Sequence, residues 1–214
     1  MKIKNILILS LVIVLNACCG FLGYFIGNAN KHIIVDFQSF PQEISSEANY
    51  RYKSVNMDYN LSNYVEYLCQ HVFDVDSDLV VSLGLVENPK FDPYAINRNT
   101  NGSIDGGLFQ LNSKYVYTDF LPRYGKDEFK NVEFDIFDWR HNTYIAIAHI
   151  SWLKKHLKSD EKVIMAYNCG YEAVKKNKIP KITRNEYYPR VKKYLDNFKA
   201  NNKVNNNNEA NNNE

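Results

Sequence analysis

The chain has 214 residues, 26 basic and 24 acidic, for a formal charge of +2. That balance, with no block of like charge, excludes the electrostatic footprint of a nucleic-acid binder. The length leaves room for one domain of about 150 residues, enough to bury a core without staples. Tyr 16 and Phe 12 are a high aromatic load, which serves either a core or a sugar-binding face, and composition does not separate the two.

Lys2 and Lys4 precede an uncharged apolar run from Ile6 to Gly27. The run exceeds the ~7–15 residues of a signal-peptide core and falls within the ~17–25 of a spanning helix. Residues 1–27 therefore predict a membrane anchor, with the basic N-terminus cytoplasmic and the domain outside. Two alternatives stay open: a lipoprotein modified at Cys18, and a secreted chain cut after Ala29. Residues 28–60 lack sustained periodicity and read as a stalk or lead-in.

From Leu61 onward the spacing of Leu61, Tyr64, Val65, Leu68 and Val72 predicts an amphipathic helix. Asp76-Ser77-Asp78 offers caps for a second helix, the apolar run LVVSLGLV that ends in Glu87. Asn88-Pro89 follows at once, and the residue before proline disfavours helical geometry, so the helix should stop there. Next comes NRNTNGSIDGG, whose Asn and Gly build tight turns, and then Gly107-Leu108-Phe109-Gln110-Leu111-Asn112. Residues 113–137 read as short helical pieces and loop. Asp138 caps a helix with Ile145, Ala148, Trp152 and Leu153 as its stripe. A helical pair breaks at Cys169-Gly170, and a last helix spans Glu186–Lys199. Residues 200–214 are low-complexity and expected to be disordered.

A lone acid ending a buried helix has its pKa raised by desolvation, and facing amide-bearing turns it can protonate a sugar leaving group. Its bland reading is a capped acid that reaches solvent. Asn97, Asn99, Asn101, Gly102 and Asp105 imitate the start of a calcium loop, but Leu108 stands where a bidentate Glu is required. His141, His149 and His156 lack the partner spacing of a zinc site. No metal and no cofactor is expected. Cys69 and Cys169 either form a disulfide or are buried as small apolar thiols.

Four stretches in order carry a resemblance: Glu87 with Phe91-Asp92-Pro93 and Ala95; Gly107-Leu108-Phe109-Gln110; Val163-Ile164-Met165-Ala166-Tyr167-Asn168-Cys169-Gly170; and Ile179-Pro180 with Tyr187-Tyr188-Pro189-Arg190-Val191. Together they resemble the lytic transglycosylase (SLT-like) domain, and NRNTNGSIDGGLFQLNSKY is equally similar to the loop of transglycosylases from conjugation and secretion machines and of animal-type lysozymes, which lack this order of motifs. The resemblance covers roughly Leu61 to Phe198. Asn88 stands where the family usually has Ser, Cys169 where it has Ala, and the spacing from Glu87 to Phe91 is one residue longer, with Pro89 as the extra.

The resemblance implies a mainly α, lysozyme-like (α+β) domain over residues 61–199 with a short turn-rich β segment. It implies a peptidoglycan glycan strand as partner and an extracytoplasmic (periplasmic or cell-wall) domain. Glu87 would be the catalytic acid and Tyr167 would hold its carboxyl. Asn88, Gln110, Asn112, Asn168 and Tyr187 would contact substrate, and Asp105 would be a secondary carboxylate. The alternatives are a lysozyme-type hydrolase and a non-catalytic glycan-binding or assembly protein on this fold.

Overall fold

A computed structural model describes Tyr52, Val55 and residues 57–211, with side chains of the last helix described through Asn202. The apolar run Ile6–Gly27, with both alternatives for its processing, lies outside the described residues. Among those described, no helix is long and apolar enough to cross a membrane.

Helix α1 (Tyr59–Tyr67) starts at Asp58, whose carboxylate accepts from the Leu61 N–H at 2.9 Å, and widens into a π-helical turn at Leu68–Phe73. Helix α2 (Ser77–Glu87) is capped by Asp76 and buried from Ser77 through Val86. An element apolar on every side is stable only inside a core, and α2 packs most extensively on the last helix, α7 (Tyr188–Asn211). Between them in sequence come three short antiparallel strands, β1 (Ile96–Arg98), β2 (Ile104–Gly106) and β3 (Leu111–Asn112), in spatial order β1-β2-β3. The register sets Asn97 opposite Asp105 and Asp105 opposite Asn112. Helix α3 (Ser113–Tyr115) leads into a π-helical run, Val116–Gly125. The long α4 (Trp139–Leu157) follows, then α5 (Asp160–Cys169), α6 (Tyr171–Lys175) and a π-helical turn at Thr183–Tyr187. A mainly helical domain with one small antiparallel sheet is consistent with a lysozyme-like fold.

Two boundaries and one pairing differ from the sequence reading. Tyr52, assigned there to the stalk, is buried: its ring packs edge-on against Phe198 at 5.4 Å, and its hydroxyl reaches Ser77 Oγ and Asp78. An aromatic ring with a polar tip gains from both environments at once. The last helix continues to Asn211, past the boundary drawn at residue 199, and Asn202 Nδ2 donates to Asp78 Oδ2 at 2.9 Å. That bond fastens the start of the Asn-rich stretch to the start of α2. Finally, Cys69 and Cys169 are not bonded to each other. Cys69 is a buried thiol and Cys169 a half-buried one.

The sheet is fixed to α4 by one buried side chain. Asn142 lies on the apolar face of α4 with no exposed surface. Its Oδ1 accepts from Phe109 N at 2.9 Å, and its Nδ2 donates to the Gly106 and Ile136 carbonyls, each at 2.9 Å. Gly107 makes room for it: φ is +77°, and a Cβ there would lie 2.3 Å from Asn142 Nδ2. Removing the amide would orphan three buried backbone groups, each costing about 1–3 kcal/mol. Asn142→Ala should therefore lower unfolding free energy by about 3–5 kcal/mol, read by urea denaturation. A loss below 1 kcal/mol would show that the sheet is held by other contacts.

Candidate active site

Glu87 occupies the last position of α2, and Asn88 leaves helical geometry at φ −148°, ψ 86°. The chain turns immediately afterwards. Phe91 N donates to Asn88 O at 2.9 Å, closing a turn, and Phe91 adopts φ +47°. A left-handed aromatic residue costs on the order of 1–3 kcal/mol. Two features oppose that cost. The Phe91 ring is buried under the last turn of α2, where Gly84 admits it: a Cβ at Gly84 would be 2.7 Å from Phe91 Cε1 and 3.0 Å from Phe109 Cε1. Asn88 donates from Nδ2 to the Asp92 and Gly107 carbonyls and accepts from Asp92 N. Asn88 therefore ties the helix end to two turns, and its amide is spent on backbone.

The Glu87 carboxyl is half-buried, and Oε1 accepts a 2.5 Å hydrogen bond from the Tyr187 hydroxyl. Burial pushes its pKa up to about 7. The Tyr187 bond opposes that shift, the negative charge of Asp105 adds to it, and the positive charge of Arg190 subtracts. Tyr187, at the end of the π-helical turn that opens α7, is itself buried, and burial with the field of Glu87 holds its phenol well above the ordinary value. The pair is a neutral donor on an acid poised between two protonation states.

Tyr167 does not hold Glu87, as the resemblance implied. Its hydroxyl donates to the Phe109 carbonyl at 2.9 Å, which binds α5 to the GLFQ turn. It still lies close enough for the Glu87 and Asp105 charges to raise its pKa after burial has done so. Asn168 is exposed and accepts from Thr183 at 2.7 Å. Gln110, at φ +48°, donates to the Ala95 and Gly107 carbonyls and so braces its own turn. Asn112 donates to Asp105 Oδ1 at 2.7 Å and to Ser103 Oγ at 3.0 Å, while its Oδ1 caps α3. The calcium-like loop is the β1–β2 turn, in which Asn99, Asn101 and Ser103 bond one another and Gly102 supplies φ +83°. His149 lies inside an aromatic cluster, on Tyr124 at 3.0 Å, and burial pushes its pKa down to about 4. Tyr94 and Tyr115 are exposed in the segments flanking the sheet.

The family model that describes the transglycosylase SLT domain matches residues 70–187, more than half of the chain. The chain belongs to that family. Neither a curated protein nor a solved structure matches it significantly. The matched span of the SLT domain begins in the π-helical turn after α1 and ends on Tyr187, so it takes in the Glu87–Tyr187 pair. Family membership supports peptidoglycan transglycosylase-type activity as a class.

Two contributors were missed in the sequence. Asn142 was legible as a polar residue on an otherwise apolar face of α4. Arg190 falls within the Tyr187–Val191 motif, but the action of its charge on Glu87 depends on how the last helix packs and was not read there.

Tyr187→Phe removes the donor that favours the Glu87 carboxylate. The Glu87 pKa should then rise, so the protonated acid persists to higher pH. The alkaline limb of a pH–rate profile for cell-wall clearance should move up by about half a unit to one unit. An unmoved or lowered limb would mean that the bond does not act on the acid.

Proposed function

We propose that this SLT domain cleaves the glycan strand of peptidoglycan between N-acetylmuramic acid and N-acetylglucosamine, leaving anhydro-muramoyl ends. The observation that carries the reading is Glu87 itself: one half-buried carboxyl with a pKa of about 7, gripped by a phenol. A single group that must give a proton and then take one works best with a pKa near the working pH.

Protonated Glu87 gives its proton to the glycosidic oxygen as the bond to the muramic C1 breaks. The substrate's acetamido oxygen stabilises the developing cation. Glu87, now ionised, takes the proton of the sugar's own primary hydroxyl as that oxygen bonds to C1. The cycle restores the protonated acid and consumes no water. Only one titrating carboxylate is required, as in substrate-assisted exceptions to the two-carboxylate pattern. Sugar contact is assigned to the exposed Asn168 and to the amide oxygen of Gln110, whose N–H groups are held by backbone carbonyls.

The second reading is a lysozyme-type hydrolase, and one observation favours it: the charge of Asp105 is near enough to raise Glu87. Against it, Asp105 Oδ1 is engaged by Asn112. Mass analysis of the ends released from purified sacculi separates the two. Glu87→Gln should lose ~10²–10⁴ of the rate or more with the fold intact. Asp105→Asn should keep measurable activity and yield mainly anhydro ends. Reducing ends from the wild type, with Asp105→Asn as inactive as Glu87→Gln, would make the protein a lysozyme.

A cell-wall substrate requires the domain outside the cytoplasm, and the uncharged run Ile6–Gly27 behind Lys2 and Lys4 is suited to anchor it there. Intact-mass measurement on membrane-extracted protein should return the uncut, unlipidated chain. A start at Cys18 with added lipid, or at Asn30, would replace the anchor.

A further inference from the structure

We propose that a pocket between Tyr117 and Phe134 binds the short peptide that branches from the glycan strand, so that the protein reads peptide as well as sugar. The inference rests on the reading of the substrate as peptidoglycan. The pocket has a volume of about 390 Å³ and is built by residues 117–134, the segment that leaves the sheet just after Asn112. None of its lining residues belongs to the Glu87 site.

Its construction is specific. Val116–Gly125 is a π-helical run containing Pro122, and π-helical geometry is uncommon and concentrated at functional sites. Gly125 lets the two sides of the floor close together: a Cβ there would stand 2.7 Å from Phe129 Cδ2 and 2.9 Å from Leu121 Cδ2. Phe134 packs edge-on against both Tyr117 and Phe129, yet Tyr117 remains 57% exposed. Apolar surface thus stays open beside an aromatic face.

The charges name the occupant. Lys126 and Glu133 both line the pocket and are exposed, and neither has an ion-pair partner among the described residues. A stem peptide presents small alanine methyls to apolar walls, carboxylates to a lysine and the free amine of a diamino residue to a glutamate. A neutral sugar ring could use the face of Tyr117 but would leave both charges without a counter-charge.

The test uses the full chain in detergent and a synthetic tetrapeptide, L-Ala–γ-D-Glu–L-Lys–D-Ala, titrated by calorimetry. Saturable binding is expected, weakened about two- to fivefold by Lys126→Glu or Glu133→Lys, the upper range of exposed ion pairs. Both positions are exposed, so the fold should survive. On peptide-bearing glycan strands each variant should raise KM by the same factor and keep kcat, while KM on strands stripped of peptide by an amidase stays unchanged. Absence of peptide binding overturns the proposal. An equal rise in KM on stripped strands also overturns it, because the pocket would then hold sugar. Peptide binding by a chain that cleaves neither substrate supports the pocket and sinks the cleavage reading instead.

Discussion

The structure depends on holding one half-buried carboxyl group partly out of water at the end of a buried helix. An ionised acid is strongly disfavoured in such surroundings, and the chain meets that difficulty by raising the pKa of Glu87 rather than by pairing it with a close cation. Arg190 contributes only the smallest of the opposing effects. Much of the surrounding architecture serves that arrangement. Helix α2 is apolar on all sides so that its end lies inside the domain, Gly84 lets Phe91 and Phe109 close beneath it, and the π-helical turn before α7 brings the Tyr187 hydroxyl onto the carboxyl.

A second set of interactions holds the Gly107–Gln110 turn in place. The GLFQ turn is held from three directions: by Asn142 from α4, by Tyr167 from α5, and by the amides of Asn88 and Gln110 at its Gly107 carbonyl. Each of these bonds satisfies a backbone group that would be costly to bury alone. The GLFQ turn is thus held by hydrogen bonds as well as by packing, since Leu108 and Phe109 are buried in the core. The unfavourable φ of Phe91 and Gln110 is confined to this region of the sheet and helix end, where many bonds over-determine the backbone.

The opposite end of α2 shows how a buried helix start is satisfied. Glu66 accepts from Ser77, Tyr52 donates to Ser77 and Asp78, and Asn202 donates to Asp78. Asp78 also sits in the first turn, where the helix dipole favours negative charge. Residues on either side of the central domain, one before α1 and one near the end of the described side chains, thereby converge on one helix terminus. This is why the domain extends beyond the limits its periodic segments suggest.

Local chemistry was enough to read much of this from the sequence. The stop of α2 at Glu87 follows from Pro89, the caps at Asp76 and Asp138 from their side chains, the break at Gly170 from its freedom at positive φ, and the raised pKa of an acid at that helix end from burial. The order of the family motifs gave the class of activity. Tertiary structure alone decided which phenol reaches the acid. Tyr167 and Tyr187 are equally suited by type, and the choice between them depends on how α5 and α7 approach α2. It likewise decided that Asn88 is spent on backbone, that Tyr52 and Asn202 belong to the core, and that the two thiols do not bond. Sequence fixes what each residue is able to do over a few neighbouring positions; distances between elements arise only when the core is packed, and the partners of Glu87 are a matter of those distances.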